Sequence, residues 1–156
     1  MKNLLLLFIF ISGFSYSQTP TEIHLKFGKY TNDHTQREFH VQEQNWILKD
    51  GKLSYKIQVH DDLYADTHSL TELELKTVSL YLDSMNLSDT VTQKFDVDYL
   101  DKHEYEQVIF GDIIYKGKNS HILIKGNDFI GMEKNTNCSA LYRLEQYFFT
   151  IIENHR

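Results

Sequence analysis

Apolar and polar positions along the chain fall into a few repeating patterns, and each pattern predicts an element. Ile23, Leu25 and Phe27 alternate with Glu22, His24 and Lys26, the two-residue period of a half-buried strand. Residues 31–37 (TNDHTQR) are polar and read as a loop. Phe39 and Val41 open a second strand that resumes at Trp46 and Leu48. Asn45 and Ile47 then fall on the face of Phe39, so the run changes phase and a β-bulge is expected. Lys49-Asp50-Gly51-Lys52 follows, and Asp-Gly between two alternating runs is a strong hairpin signature. Leu53, Tyr55, Ile57 and Val59 continue the hairpin, alternating with Ser54, Lys56, Gln58 and His60.

Helical periods come next. Ser69-Leu70-Thr71-Glu72 has the form of a capping box and predicts a helix over 69–85. Glu72, Lys76, Ser79 and Asp83 make one polar stripe, and Leu70, Leu73, Val78, Leu80, Tyr81, Leu82 and Met85 fill the remainder. Phe95, Val97 and Tyr99 suggest another strand. Residues 107–116 and 120–125 flank Gly117-Lys118-Asn119 as a second hairpin. The last helix is expected over 139–153, its apolar face being Ala140, Leu141, Leu144, Tyr147, Phe148, Ile151 and Ile152. The resulting order, βββ-α-βββ-α, predicts an α+β fold: an antiparallel sheet of about five to six strands with two helices packed on one face.

The N-terminus follows another logic. Lys2 precedes an unbroken apolar run over 4–11, Gly13 interrupts it, and Ser15-Tyr16-Ser17 places small residues where a signal peptidase reads. Residues 1–17 are therefore expected to be a signal peptide cleaved before Gln18, and residues 18–156 a single exported domain. The run is shorter than the ~20 apolar residues a spanning helix needs. No transmembrane segment is expected after cleavage, and the compartment is the periplasm or the exterior.

Composition narrows the functional classes. Of 156 residues, 16 are Lys or Arg and 22 Asp or Glu; removing Lys2 leaves 15 against the same 22, a net charge of -7 for the exported part. An acidic chain argues against a nucleic-acid partner, whose phosphates want a basic face. A single cysteine excludes an intrachain disulfide framework.

Candidate chemistry is sparse. His60, Asp62, Asp66 and His68 lie within nine residues between the hairpin and the first helix, and imidazole with carboxylate is a donor set for a divalent metal. The competing expectation is a solvated loop whose acidic residues favour the following helix N-terminus. The acidic run Asp96, Asp98, Asp101, His103, Glu104 and Glu106 lacks the glycine and glutamate of an EF-hand. Cys138 sits at the expected start of the last helix, where a thiol can be activated, with His103 or His121 as candidate bases; a buried, inert thiol is the alternative. Tyr30, Trp46 and Tyr64 are candidates for a sugar-stacking surface. No glycine-rich phosphate loop, nucleophile elbow or His-Glu-x-x-His is present.

The leader, the Asp-Gly hairpin and the helix opening at Ser69 together resemble the layout of small exported bacterial domains, a resemblance that implies export and carries no site residues. Asp83-Ser84-Met85 and Asp89-Thr90-Val91 resemble a short O-glycosylation acceptor pattern of some exported proteins. The expectation is a non-catalytic binding module of the cell envelope that meets a protein or envelope partner through its sheet face or an edge strand such as 22–27. A small metal-dependent hydrolase using residues 60–68 and an envelope-associated structural protein are the alternatives.

Overall fold

A computed structural model describes residues 21–32, 38–96 and 105–156. The expected signal peptide, Val97, Tyr99 and His103 lie outside the described residues. The elements are β1 (Glu22–Asn32), β2 (Glu38–Lys49), β3 (Lys52–Val59), β4 (Asp62–Ser69), α1 (Glu72–Asp83), β5 (Thr90–Phe95), β6 (Tyr105–Tyr115), β7 (Lys118–Gly126), α2 (Phe129–Lys134) and α3 (Thr136–Asn154). Among the described residues the strands form one seven-stranded sheet in the order β4-β3-β2-β1-β6-β7-β5. The α+β class holds, with more strands and helices than expected and with a mixed sheet.

Each difference has a physical source. Asp50 and Gly51 adopt φ of 51° and 71°, the two left-handed positions of the expected type I′ turn. The next turn, at His60-Asp61, pairs Val59 with Asp62 and makes residues 62–69 a strand rather than the expected loop. It contains neither Gly nor Asn; His60 itself takes φ of 52°, so no Asn-Gly or Asp-Gly pair announces this hairpin. The expected bulge is present: Lys29 pairs Gln42 while Tyr30 pairs His40, leaving Val41 as the extra residue.

Strand β1 is not an edge. It lies in the middle of the sheet, paired antiparallel to β2 on one side and β6 on the other, and β4 and β5 are the outermost strands. Helix α1 links these two outermost strands, and β5 then pairs parallel to β7. Tight hairpins fix only neighbours in sequence, so this long connection left no antiparallel signature to read. The helix start also moves. Ser69-x-x-Glu72 and Thr71-x-x-Glu74 both fit the box pattern, and Thr71 is the N-cap: its Oγ1 accepts from the Glu74 N–H, while Glu74 accepts from the Thr71 N–H at 2.7 Å. Asn135 ends α2 and caps α3, accepting from the N–H groups of Asn137 and Cys138.

The strands bury one face. Ile23, Leu25 and Phe27 of β1, Trp46 and Leu48 of β2, Leu53, Tyr55 and Ile57 of β3 and Ile109 and Ile113 of β6 meet Val78 and Leu82 of α1 and Leu141, Leu144 and Phe148 of α3. Trp46, fully buried, has ring centroids 5.3 Å from Phe148, 5.1 Å from Phe149 and 5.7 Å from Tyr55. The opposite face carries His24, Lys26, Asn45 and Asp112 in alternation with these residues.

Candidate functional site: a polar cleft beneath α3

Helix α3 buries a stripe at spacings of three and four: Leu141, Leu144, Glu145, Phe148, Ile151 and Ile152. Glu145 interrupts the apolar residues of this stripe, and it is 8% exposed. Opposite it, β2 presents Gln44 on the same face as Trp46 and Leu48. Polar residues at two facing core positions open a gap that apolar side chains fill elsewhere.

That gap is a cavity of about 260 Å³, floored by Phe27 and Gly28 of β1, Gln42 and Gln44 of β2 and Gln107 of β6, and roofed by Tyr142, Glu145 and Gln146 of α3. The bulge between Lys29 and Tyr30 lies at its edge, since Lys29 and Gln42 both line it. Bulges next to binding sites re-aim side chains in this way. A wider, open cleft of about 850 Å³ continues from it past Gln107, Tyr142 and Gln146 towards Tyr81, Phe129, Glu133, Arg143 and Tyr147.

The polar groups are linked. Trp46 Nε1 donates to Gln44 Oε1 at 3.0 Å, and Gln44 in turn hydrogen-bonds the Glu145 carboxyl. Tyr142 donates its hydroxyl proton to Gln107 Oε1. Burial pushes the Glu145 carboxyl up to about 7, and the Gln44 hydrogen bond offsets only part of that. Burial, and then the neighbouring ionisable groups Cys138, Glu145 and Glu133, hold the Tyr142 hydroxyl well above its ordinary range, so it stays a phenol. The cleft therefore offers amides, a phenol and, below neutral pH, a protonated acid, each able to donate and accept. Lys29 of the smaller cavity and Glu133 and Arg143 of the wider cleft are its charged lining residues.

The residues expected from sequence lie elsewhere. His60 is exposed in the β3–β4 turn, and Asp62, Asp66 and His68 follow on one face of β4. At ~3.3 Å per residue, a strand carries Asp62 and His68 ~20 Å apart. They do not converge, and among the described residues no three His, Cys, Asp or Glu side chains are grouped to hold a metal ion. Asp66 accepts from the Thr67 N–H at 2.7 Å, while the His68 ring stacks on Tyr55 at 5.9 Å and faces His155 at 5.1 Å. The outermost position of β4 keeps Leu63 and Tyr64 exposed.

Cys138 is fully buried in the first turn of α3, with Sγ 3.9 Å from Gln93 Oε1, and burial pushes its thiol up to about 11. Of the two expectations for this thiol, the packing fits the buried one: the helix start is there, and the side chain is packed as a small hydrophobe. His121, the candidate base, pairs with Asp112 on the uncovered face of the sheet, across the layer from Cys138. Asp96 ion-pairs with Lys94 on the surface. Among the proposed sugar-stacking residues, Trp46 is core, Tyr64 is exposed on β4, and the Tyr30 ring lies over Gly28, where an added Cβ would come within 2.5 Å of it. Ser84 closes α1, donating to the Tyr81 carbonyl, and Thr90 is exposed at the start of β5.

Sequence reasoning missed Glu145, Gln44, Gln107 and Tyr142. One trace was available: Leu141, Glu145 and Phe148 are spaced i, i+4, i+7, which places the acid on the buried stripe. Neither a protein-family model nor a curated protein matches this chain. No helix among the described residues is long and apolar enough to cross a membrane.

Proposed function

We propose that this protein is an exported, non-catalytic binding module of the cell envelope, and that it seats a small ligand in the cleft beneath α3. Export rests on the leader-like pattern of residues 1–17. The ligand seat rests on one observation above the others: Glu145, a carboxyl in the middle of an apolar helix stripe, is buried against Gln44 beside a cavity lined by three further glutamines. A buried acid costs stability that an apolar residue of similar size would not, and such costs concentrate at functional sites. The test is a two-dimensional NMR titration with the small-molecule fraction of the native envelope. Shifts centred on Gln42, Gln44, Gln107 and Gln146 are expected; shifts confined to the outer edge of β4 or to the uncovered sheet face contradict the seat. Fractionation of the native cells with intact mass of the recovered chain tests export, a mass beginning at Gln18 being the expected result.

A second reading, acid catalysis in the same cleft, is favoured by the Glu145 carboxyl being raised to about 7, where a general acid is most effective. Glu133 of α2 borders the wider part of the cleft as a second carboxyl. Turnover of a bound ligand that Glu145→Gln abolishes would replace the binding reading with the catalytic one.

A further inference from the structure

We infer that the ligand of this cleft is a neutral polyhydroxylated molecule of the sugar class, one ring of which enters the smaller cavity. The inference rests on the cleft being the ligand seat and adds the chemistry of what it takes. Gln44, Gln107 and Gln146 bring a paired donor and acceptor each, and Tyr142 and protonated Glu145 bring hydroxyls that do the same. Neighbouring hydroxyls on a ring also donate and accept at each oxygen, so the two sets match group for group. An apolar ligand would use none of the donor and acceptor capacity these groups have left after bonding one another.

Geometry points the same way. The polar groups converge from β2, β6 and α3 around one partly open volume, instead of lying along a free strand edge where a peptide main chain would pair. At about 260 Å³ the cavity is below the ~300–1,000 Å³ of sites for drug-sized ligands, which suits a single ring. The adjoining cleft has aromatic walls: Tyr81 and Tyr147 lie with ring centroids 5.7 Å apart, and Phe129 borders the same space. Aromatic faces are apolar surfaces on which the C–H side of a further ring can rest. Tyr142 stands at the junction, lining both spaces.

The test is an NMR titration of the isotope-labelled protein with four probes: glucose and cellobiose as neutral sugars, N-acetyl-alanyl-alanine amide as a neutral peptide, and glucose 6-phosphate as an anion. The expected result is millimolar sugar binding that shifts the side-chain amides of Gln44 and Gln107, tighter for cellobiose than for glucose. It weakens at least tenfold in Tyr142→Phe and in Glu145→Leu, both of which still fold by denaturant titration. Peptide or sugar phosphate binding in the cleft while neutral sugars do not bind overturns the ligand class and leaves the seat in place. Absence of cleft shifts with every probe also overturns the ligand class, and the envelope-extract titration then decides the seat independently.

Discussion

Around Phe148 the space between α3 and the sheet is dry and filled with rings: Trp46 meets Tyr55, Phe148 and Phe149 with centroids 5.1 to 5.7 Å away. One turn earlier on the same helix, around Glu145, the same two layers enclose a cavity bordered by amides, a phenol and an acid. Gln44 joins the two regions, accepting from the Trp46 indole on one side and hydrogen-bonding Glu145 on the other. A layer that can be packed solid at Phe148 could be packed solid at Glu145 as well. The contrast separates what holds the fold from what the fold holds open.

The largest effects belong to the dry region. Trp46→Ala and Phe148→Ala should each cost ~3–5 kcal/mol of unfolding free energy, read from denaturant midpoints. A loss below ~1 kcal/mol would mean that the ring cluster is not the centre of the core.

The polar region should be marked by pH. The Glu145 carboxyl is raised from 4.5 to about 7 in the folded chain, so the native state binds more protons than the unfolded state between those values. Its contribution to stability is complete below the unfolded value and is lost as pH rises through the folded value, about 3 kcal/mol over the interval at ~1.4 kcal/mol per pH unit. Glu145→Gln should flatten this part of the stability-pH curve. Glu145→Leu sharpens the comparison, because it converts the polar region into a copy of the dry one. At pH 8 it should stabilise the protein by on the order of 2 kcal/mol, since it removes a buried charge.

A smaller effect of opposite sign comes from α1, outside both regions. Burial raises the Glu74 carboxyl, but hydrogen bonds from the Thr71 N–H and hydroxyl, together with His155, outweigh it and leave Glu74 below its usual range. Its contribution is therefore present above the unfolded value and lost as pH falls. Thr71→Ala should cost ~1 kcal/mol at pH 7, with the difference from wild type shrinking in acid.

How much of this was legible in sequence follows from which interactions are local. Strand period, the Asp50-Gly51 turn and the bulge near Val41 are carried by neighbouring residues and could be read directly. Strand β4 could not, because its turn uses His60 at positive φ without a glycine, and its Asp-rich composition imitates a loop. The place of β1 in the sheet depends on pairing with β6, whose Ile114 lies 92 residues beyond its partner Glu22. The cleft is harder still. Gln44, Gln107 and Glu145 come from three distant segments, and glutamine has no catalytic or ligating spacing that would single it out. The conspicuous His and Asp residues of 60–68 were instead dispersed by the strand that carries them.

The most direct test of the central claim, that the cleft beneath α3 holds its acid buried and is not a solvated gap, is the titration of the Glu145 side-chain carboxyl by carbon-13 NMR. A midpoint near 7, absent from the spectra of Glu145→Gln, is the result expected from its burial against Gln44. A midpoint near the ordinary 4.5 would show the carboxyl fully hydrated, and the cleft would then not bury its acid as described.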